Sequence, residues 1–146
     1  MTNQLPSVPN GLTLTLDIAP DGEFRGELGQ LINIFHGETV PFQANRFTLR
    51  LDDAAGRLAG GLSGVMSWSW LFIDAVWVHA NRRGQGVGRV LMAHAENHAV
   101  AHGCHSAWLD TFQARAFYES IGYTAFGALE DYPAGQTRSF LRKRLT

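Results

Sequence analysis

One short run, Arg83-Gly-Gln-Gly-Val-Gly-Arg89, constrains this chain more than any other feature. Before it lies Leu71 to Val78, rich in β-branched and aromatic residues, which reads as a central strand buried on both faces. After it, Val87, Leu91, Ala95 and Ala99 recur at helical spacing until the stop signal Gly103. A strand that feeds a helix through glycines belongs to a sheet with a helix laid across it. Glycines at a helix start let the backbone approach a ligand, and the first free N–H groups point at an anion. The helix dipole adds partial positive charge there, and Arg82, Arg83 and Arg89 add full charges. The run reads as a pyrophosphate cradle. The competing reading is a glycine-rich turn selected only for tight packing.

The neighbouring segments supply the rest of the sheet. Thr13 to Ile18 alternates Leu with polar residues and predicts a strand, preceded by a loose lead-in over 1–11. Asp21 can cap a helix carrying Phe24, Leu28, Leu31, Ile32 and Phe35, stopped by Gly37. Phe47 to Leu51 and Leu58 to Trp68 predict an antiparallel hairpin, in which Gly60, Gly61 and Gly64 mark a bulge. Downstream come a strand at 107–111, a helix at 114–121, a strand at 123–129 and a closing strand at 137–145. The expected fold is a mixed α/β domain over 1–146, a central mixed sheet with helices on both faces.

Composition excludes several classes. With 45% hydrophobic and 17% charged residues the chain is globular rather than disordered. A net charge of −1 argues against a dedicated nucleic-acid binder. The single Cys104 rules out an internal disulfide framework and a Cys-rich zinc site. No basic and apolar leader pattern is visible at the start, and no apolar stretch is long enough to span a membrane. The expectation is a cytoplasmic protein without membrane or nucleic-acid partners.

A Walker loop requires a Lys and a Ser or Thr at the end of the glycine run, and neither follows Gly88. A Rossmann fingerprint requires different glycine spacing and an early position in a doubly wound sheet. Arg83-Gly-Gln-Gly86-Val-Gly88 instead resembles the signature of the GNAT superfamily of acyl-coenzyme A-dependent N-acyltransferases. Val78 five residues earlier, Leu91-Met92, Ala95 and Ala99 fit the same pattern, and so does a second block, Phe117-Tyr-Glu-Ser-Ile-Gly-Tyr123. The resemblance is specific over 71–124, extends plausibly from 45, and is weak before that.

The resemblance implies acetyl-coenzyme A as cosubstrate, splayed strands at the cofactor cleft, and no metal. Val76, Trp77 and Val78 would pair with the pantetheine through their backbone. Arg83, Gly84, Gln85, Gly86, Val87, Gly88 and Arg89 would take the pyrophosphate. The family often places an Asn seven residues before the Tyr; here Thr111 stands there, and Thr111 or Gln113 would hold the pantetheine arm. Tyr118 matches the proposed general acid for the departing thiolate, a phenol being neutral at pH 7. Asp74, the sole charge inside the central strand, matches a carboxylate base that takes the amine proton or attracts the amine. Packing roles compete for both residues.

The implied function is transfer of an acetyl group to a primary amine of a small molecule or a protein, by direct attack in a ternary complex. A non-catalytic acyl-coenzyme A-binding sensor is the alternative, and a homodimer is a compatible assembly. His94, His98 and His102 recur at four-residue spacing with His105 close behind, but no third ligand pattern accompanies them, so they read as a solvated face. His79 is a weaker candidate for substrate contact, and Cys104 is read as a packing residue. Trp68, Trp70, Phe72 and Trp77 can line an apolar acceptor pocket, or else belong to the core or an interface. Residues 1–73 hold seven acids against four Arg, a faint preference for a cationic acceptor.

Overall fold

The computed structural model describes residues 4–146. They form two compact units, one ending at Pro41 and one running from Phe42 to Thr146. In the first unit, the described part of the lead-in, 4–11, is irregular, and 1–3 lie outside the described residues. The strand expected at 13–18 is absent: its Leu and polar residues alternate, but no ladder partner takes up the backbone groups. Helix α1 spans Glu23–Gly37, and Asp21 Oδ1 accepts the Glu23 N–H at 2.9 Å, one residue ahead of the cap position.

The second unit carries β1 (Ala44–Asp52), β2 (Leu58–Ser67), β3 (Trp70–Val78), α2 (Val87–Ala101), β4 (Ser106–Thr111), α3 (Arg115–Ser120), β5 (Thr124–Glu130) and β6 (Thr137–Arg144). They build one six-stranded sheet in the order β1-β2-β3-β4-β6-β5. Every pairing is antiparallel except β3 with β4, which is parallel and connected through α2. The sheet is mixed, as expected.

Alternation fixes which face of the hairpin is inside. Gly60, Leu62, Gly64 and Met66 are buried, while Gly61, Ser63 and Val65 are not. Helix α2 lies on that buried face, placing Leu91, Met92, Ala95 and Ala99 in the core with Leu71, Leu109 and Leu141. Each fully buried aliphatic side chain stabilises the fold by roughly 1.5–3 kcal/mol. Two strand glycines allow this approach. A Cβ on Gly60 would stand 3.0 Å from Val87 Cγ1, and one on Gly64 would stand 3.0 Å from the Phe47 ring.

Strand β3 is not buried on both faces along its length. Leu71 and Ile73 are buried, but Asp74 and Ala75 are exposed. The cause is a bulge: Gly64 pairs with Ile73 and Ser63 pairs with Ala75, so Asp74 is one residue too many. Beyond it the inward positions change parity, and Val76 and Val78 pack against the core. Among the described residues, no helix is long and apolar enough to cross a membrane.

Candidate active site

The bulge coincides with a divergence of strands. Strands β3 and β4 pair only from Trp70–Ser106 to Phe72–Trp108, after which β4 continues along β6 to Thr111. From Ile73 onward, β3 therefore presents an edge with no strand against it. The splay expected from the sequence is present. At its open end lies a cavity of about 520 Å³, lined by Val76, Val78, Arg82, Arg83, the glycine run, Arg89, Ala114, Phe117 and Tyr118.

The glycine run forms the upper wall of this cavity. Gly84 and Gly86 have φ of 74° and 83°, a left-handed conformation that costs other L-residues energy. Gly86 precedes α2, and the first intrahelical bond is Val90 N–H to Gly86 O at 3.1 Å. The N–H groups of Val87, Gly88 and Arg89 thus stand ahead of the hydrogen-bonded turn. A Cβ on Gly88 would meet Phe117 Cζ at 3.0 Å, so any larger residue there requires that ring to shift. Arg83 Nε donates to Val78 O at 3.2 Å and ties the loop to the end of β3, while Arg89 Nη2 donates to Ser120 Oγ at 3.1 Å. Backbone donors, two left-handed glycines and three arginines around one apolar-walled cavity suit a pyrophosphate with an extended arm.

Tyr118 closes the lower wall at 8% exposure. Its ring meets those of Phe117 and Tyr123 edge-on, at centroid distances of 5.0 and 6.0 Å. Tyr123 is itself anchored: its hydroxyl donates to Glu96 Oε1 at 3.2 Å, and Lys143 Nζ donates to Oε2 at 2.7 Å. Burial, then the Glu96 carboxylate, push the Tyr123 phenol far up. Burial alone pushes the Tyr118 phenol up, and its hydroxyl has no hydrogen-bond partner among the described residues. A protonated, unpartnered donor inside a cavity is chemically suited to giving a proton to an arriving anion.

Asp74 stands elsewhere. It does not line this cavity, and its side chain is 27% exposed. Arg46 Nη1 lies 2.5 Å from Asp74 Oδ2 and also donates to Ser63 Oγ at 3.2 Å. Desolvation raises the Asp74 carboxyl, but hydrogen bonds from Arg46 and Ser63 and the Arg46 charge outweigh it, leaving the carboxyl below its ordinary range. The cluster faces away from α2, beside a second cavity of about 500 Å³ lined by Thr48, Arg50, Ser63, Ala75 and Trp77 among others.

Other expected residues are also set apart from the first cavity. Trp77 alternates with its neighbours, is 46% exposed and lines the second cavity. Gln85 Nε2 donates to Asn81 O at 3.0 Å, and Gln113 is exposed. Thr111 Oγ1 accepts the Ala114 N–H at 3.1 Å, which helps start α3. The aromatic quartet is dispersed: Phe72 stacks on Trp108, Trp70 meets His105, Trp68 meets Phe42 and Trp77 meets His79. His79 Nδ1 accepts the Asn81 N–H at 3.2 Å. Arg82 lines the cavity as one of the expected charges, and Ala114 and Phe117 line it without having been assigned to it; for Phe117 the signal was its place beside Tyr118. Cys104 is buried, and no group of three or more His, Cys, Asp or Glu among the described residues is placed to hold a metal.

The profile of the acetyltransferase (GNAT) family matches residues 19–123. Blasticidin-S acetyltransferase of Streptomyces morookaense is 44% identical over 93 residues, covering 62% of this chain and 68% of that protein. A crystal structure of an acetyltransferase from Bacillus cereus superposes with a TM-score of 0.75 at 29% identity, over 88% of this chain and 97% of the other. A solved structure from Agrobacterium tumefaciens gives a TM-score of 0.84 at 26% identity, over 91% and 99% of the two chains.

Proposed function

Because the chain belongs to the acetyltransferase (GNAT) family, we propose that it moves an acetyl group from acetyl-coenzyme A to a primary amine of a small molecule, by direct attack in a ternary complex. The single observation that carries this reading is the cavity at the splay, which joins the glycine run, the free edge of β3 and the Tyr118 hydroxyl. The name of the 44% identical relative supports a small-molecule acceptor over a protein one. The family match at 19–123 runs across the boundary between the two compact units, which supports reading 1–146 as one functional domain.

In this reading the backbone N–H groups of Val87, Gly88 and Arg89 bind the pyrophosphate, with Arg82, Arg83 and Arg89 supplying charge. The edge of β3 at Val76, Trp77 and Val78 orients the pantetheine arm by strand-like pairing. Bound acetyl-coenzyme A supplies an activated thioester carbonyl. Phe117 and the valine side chains exclude water from that region, which strengthens each polar contact inside it. Tyr118 holds the proton that the leaving sulfur requires. Asp74, already ionised and paired, is a weak proton acceptor, so its role here is to attract the cationic amine, which loses its proton to solvent before the free amine attacks the thioester.

The test is direct. Coenzyme A should raise the melting temperature, because binding to the native state alone stabilises it by mass action. Acetyl-coenzyme A with a panel of amines should release free thiol at a rate that depends on the amine. A folded protein with no thermal response to millimolar coenzyme A would overturn the reading.

A further inference from the structure

The pair at the bulge has two features that a lone carboxylate would lack. Arg46 reaches from β1 across Ser63 on β2 to Asp74 on β3, so a cation and an anion from outer and inner strands meet at the point where β3 leaves β4. Both are accessible, with Arg46 60% and Asp74 27% exposed at the side chain. Only Nη1 of the guanidinium is engaged; among the described residues, Nη2 and Nε have no partner. These two donors form the parallel fork that carboxylates bind bidentately. The Asp74 carboxylate has acceptor sites beyond the one filled by Arg46.

The neighbouring arginine differs. Arg50 donates Nε to both oxygens of Asp52, at 2.9 and 3.0 Å, so its Nε–Nη2 edge is not free, whereas the same edge of Arg46 is. The second cavity is lined by Thr48, Arg50, Ser63, Ala75 and Trp77 among others, and reaches the pair only through Ser63, whose Oγ accepts from Arg46.

We propose that the acceptor is a zwitterion, an amine that also carries a carboxylate, and that Arg46 is the residue selecting it. This rests on the acetyl-transfer reading and names the class of acceptor for it. A simple monoamine can take the open side of Asp74 but leaves the Nη2–Nε edge of Arg46 without a partner. An amino-carboxylate satisfies both: its ammonium takes the open side of Asp74, and its carboxylate takes Nη2 and Nε of Arg46. The ion pair then becomes a four-charge cluster of alternating sign. Ser63 Oγ, already accepting from Nη1, keeps the guanidinium plane oriented for this exchange.

Two probe triads isolate the carboxylate: L-phenylalanine, its methyl ester and phenethylamine, and L-lysine, its methyl ester and cadaverine. Binding is measured by calorimetry on the full chain saturated with coenzyme A, and turnover by thiol release with acetyl-coenzyme A. The wild type should favour the free amino acid over both relatives in at least one triad by roughly ten- to a hundredfold, the value of a hydrogen-bonded charge contact. Arg46→Gln should collapse that preference, chiefly through KM, and Arg46→Lys should restore part of it, keeping the charge without the fork. Circular dichroism and the coenzyme A thermal shift establish that each variant is folded and loaded. Equal binding across both triads in the wild type, or a preference that survives in Arg46→Gln, overturns the proposal, and so does no binding of any probe. Preferential binding of amino acids without thiol release supports the site and counts against acetyl transfer instead.

Discussion

Replacing Gly86 by Ala separates backbone geometry from space. At Gly86 a new Cβ meets nothing within 4 Å, so crowding contributes no penalty. The whole cost arises from φ of 83°, which L-residues other than Asn and Asp adopt at about 1–2 kcal/mol. That energy has two places to appear. If the loop holds its shape, the protein loses it as stability, a drop of a few degrees in melting temperature for a chain of this size. If the loop relaxes, the cradle must be rebuilt on binding, and coenzyme A affinity falls by roughly 5- to 30-fold. The sum of the two losses, from thermal melts of the free protein and calorimetry with coenzyme A, should be about 1–2 kcal/mol. Gly86→Asn should lose clearly less, because its short side chain tolerates the left-handed region. Gly88→Ala is the opposite case: its backbone is ordinary and its cost comes from Phe117 at 3.0 Å. Ala and Asn variants at 86 that behave alike, or an Ala variant without loss in either assay, would refute the argument that left-handed geometry shapes this loop.

Two further outcomes are expected. Tyr118→Phe should keep coenzyme A affinity close to wild type, since the ring packing survives, while turnover falls about 10²- to 10⁴-fold; wild-type turnover under chemistry-limited conditions removes the phenol from the reaction. Asp74 has a folded carboxyl lowered from 3.8, so its contribution to stability is complete above that value and disappears as pH falls through the lower folded one. Asp74→Asn should therefore flatten the acid limb of a stability–pH curve below about pH 4, with a neutral-pH change of at most about 1 kcal/mol for so accessible a pair. An acid limb identical to wild type shows that Asp74 carries no such linkage.

Most of the second unit was legible because its signals are local. The hairpin, the bulge near Gly64, helix α2 and the strand–helix–strand run to β6 each follow from alternation, helical spacing and glycine stops. The strand expected at 13–18 failed for a non-local reason: alternation describes a segment able to pair, and pairing needs a neighbour that no local pattern reveals. The bond from the Ala114 N–H to Thr111 Oγ1 likewise depends on the turn into α3, which the local pattern at Thr111 does not show. Asp74 is the instructive case. An acid within Leu-Phe-Ile-Asp-Ala-Val-Trp-Val looks desolvated if the strand is regular, yet the core positions shift from Leu71 and Ile73 to Val76 and Val78, a change of parity that a regular strand does not permit. That slip was present in the sequence. One extra residue does three things at once. It turns Asp74 toward Arg46, it brings Val76 and Val78 round to the cavity beside the glycine run, and it coincides with the departure of β3 from β4. The carboxylate and the free strand edge thus share one local cause, so deleting Asp74 should restore regular β2–β3 pairing at the expense of both.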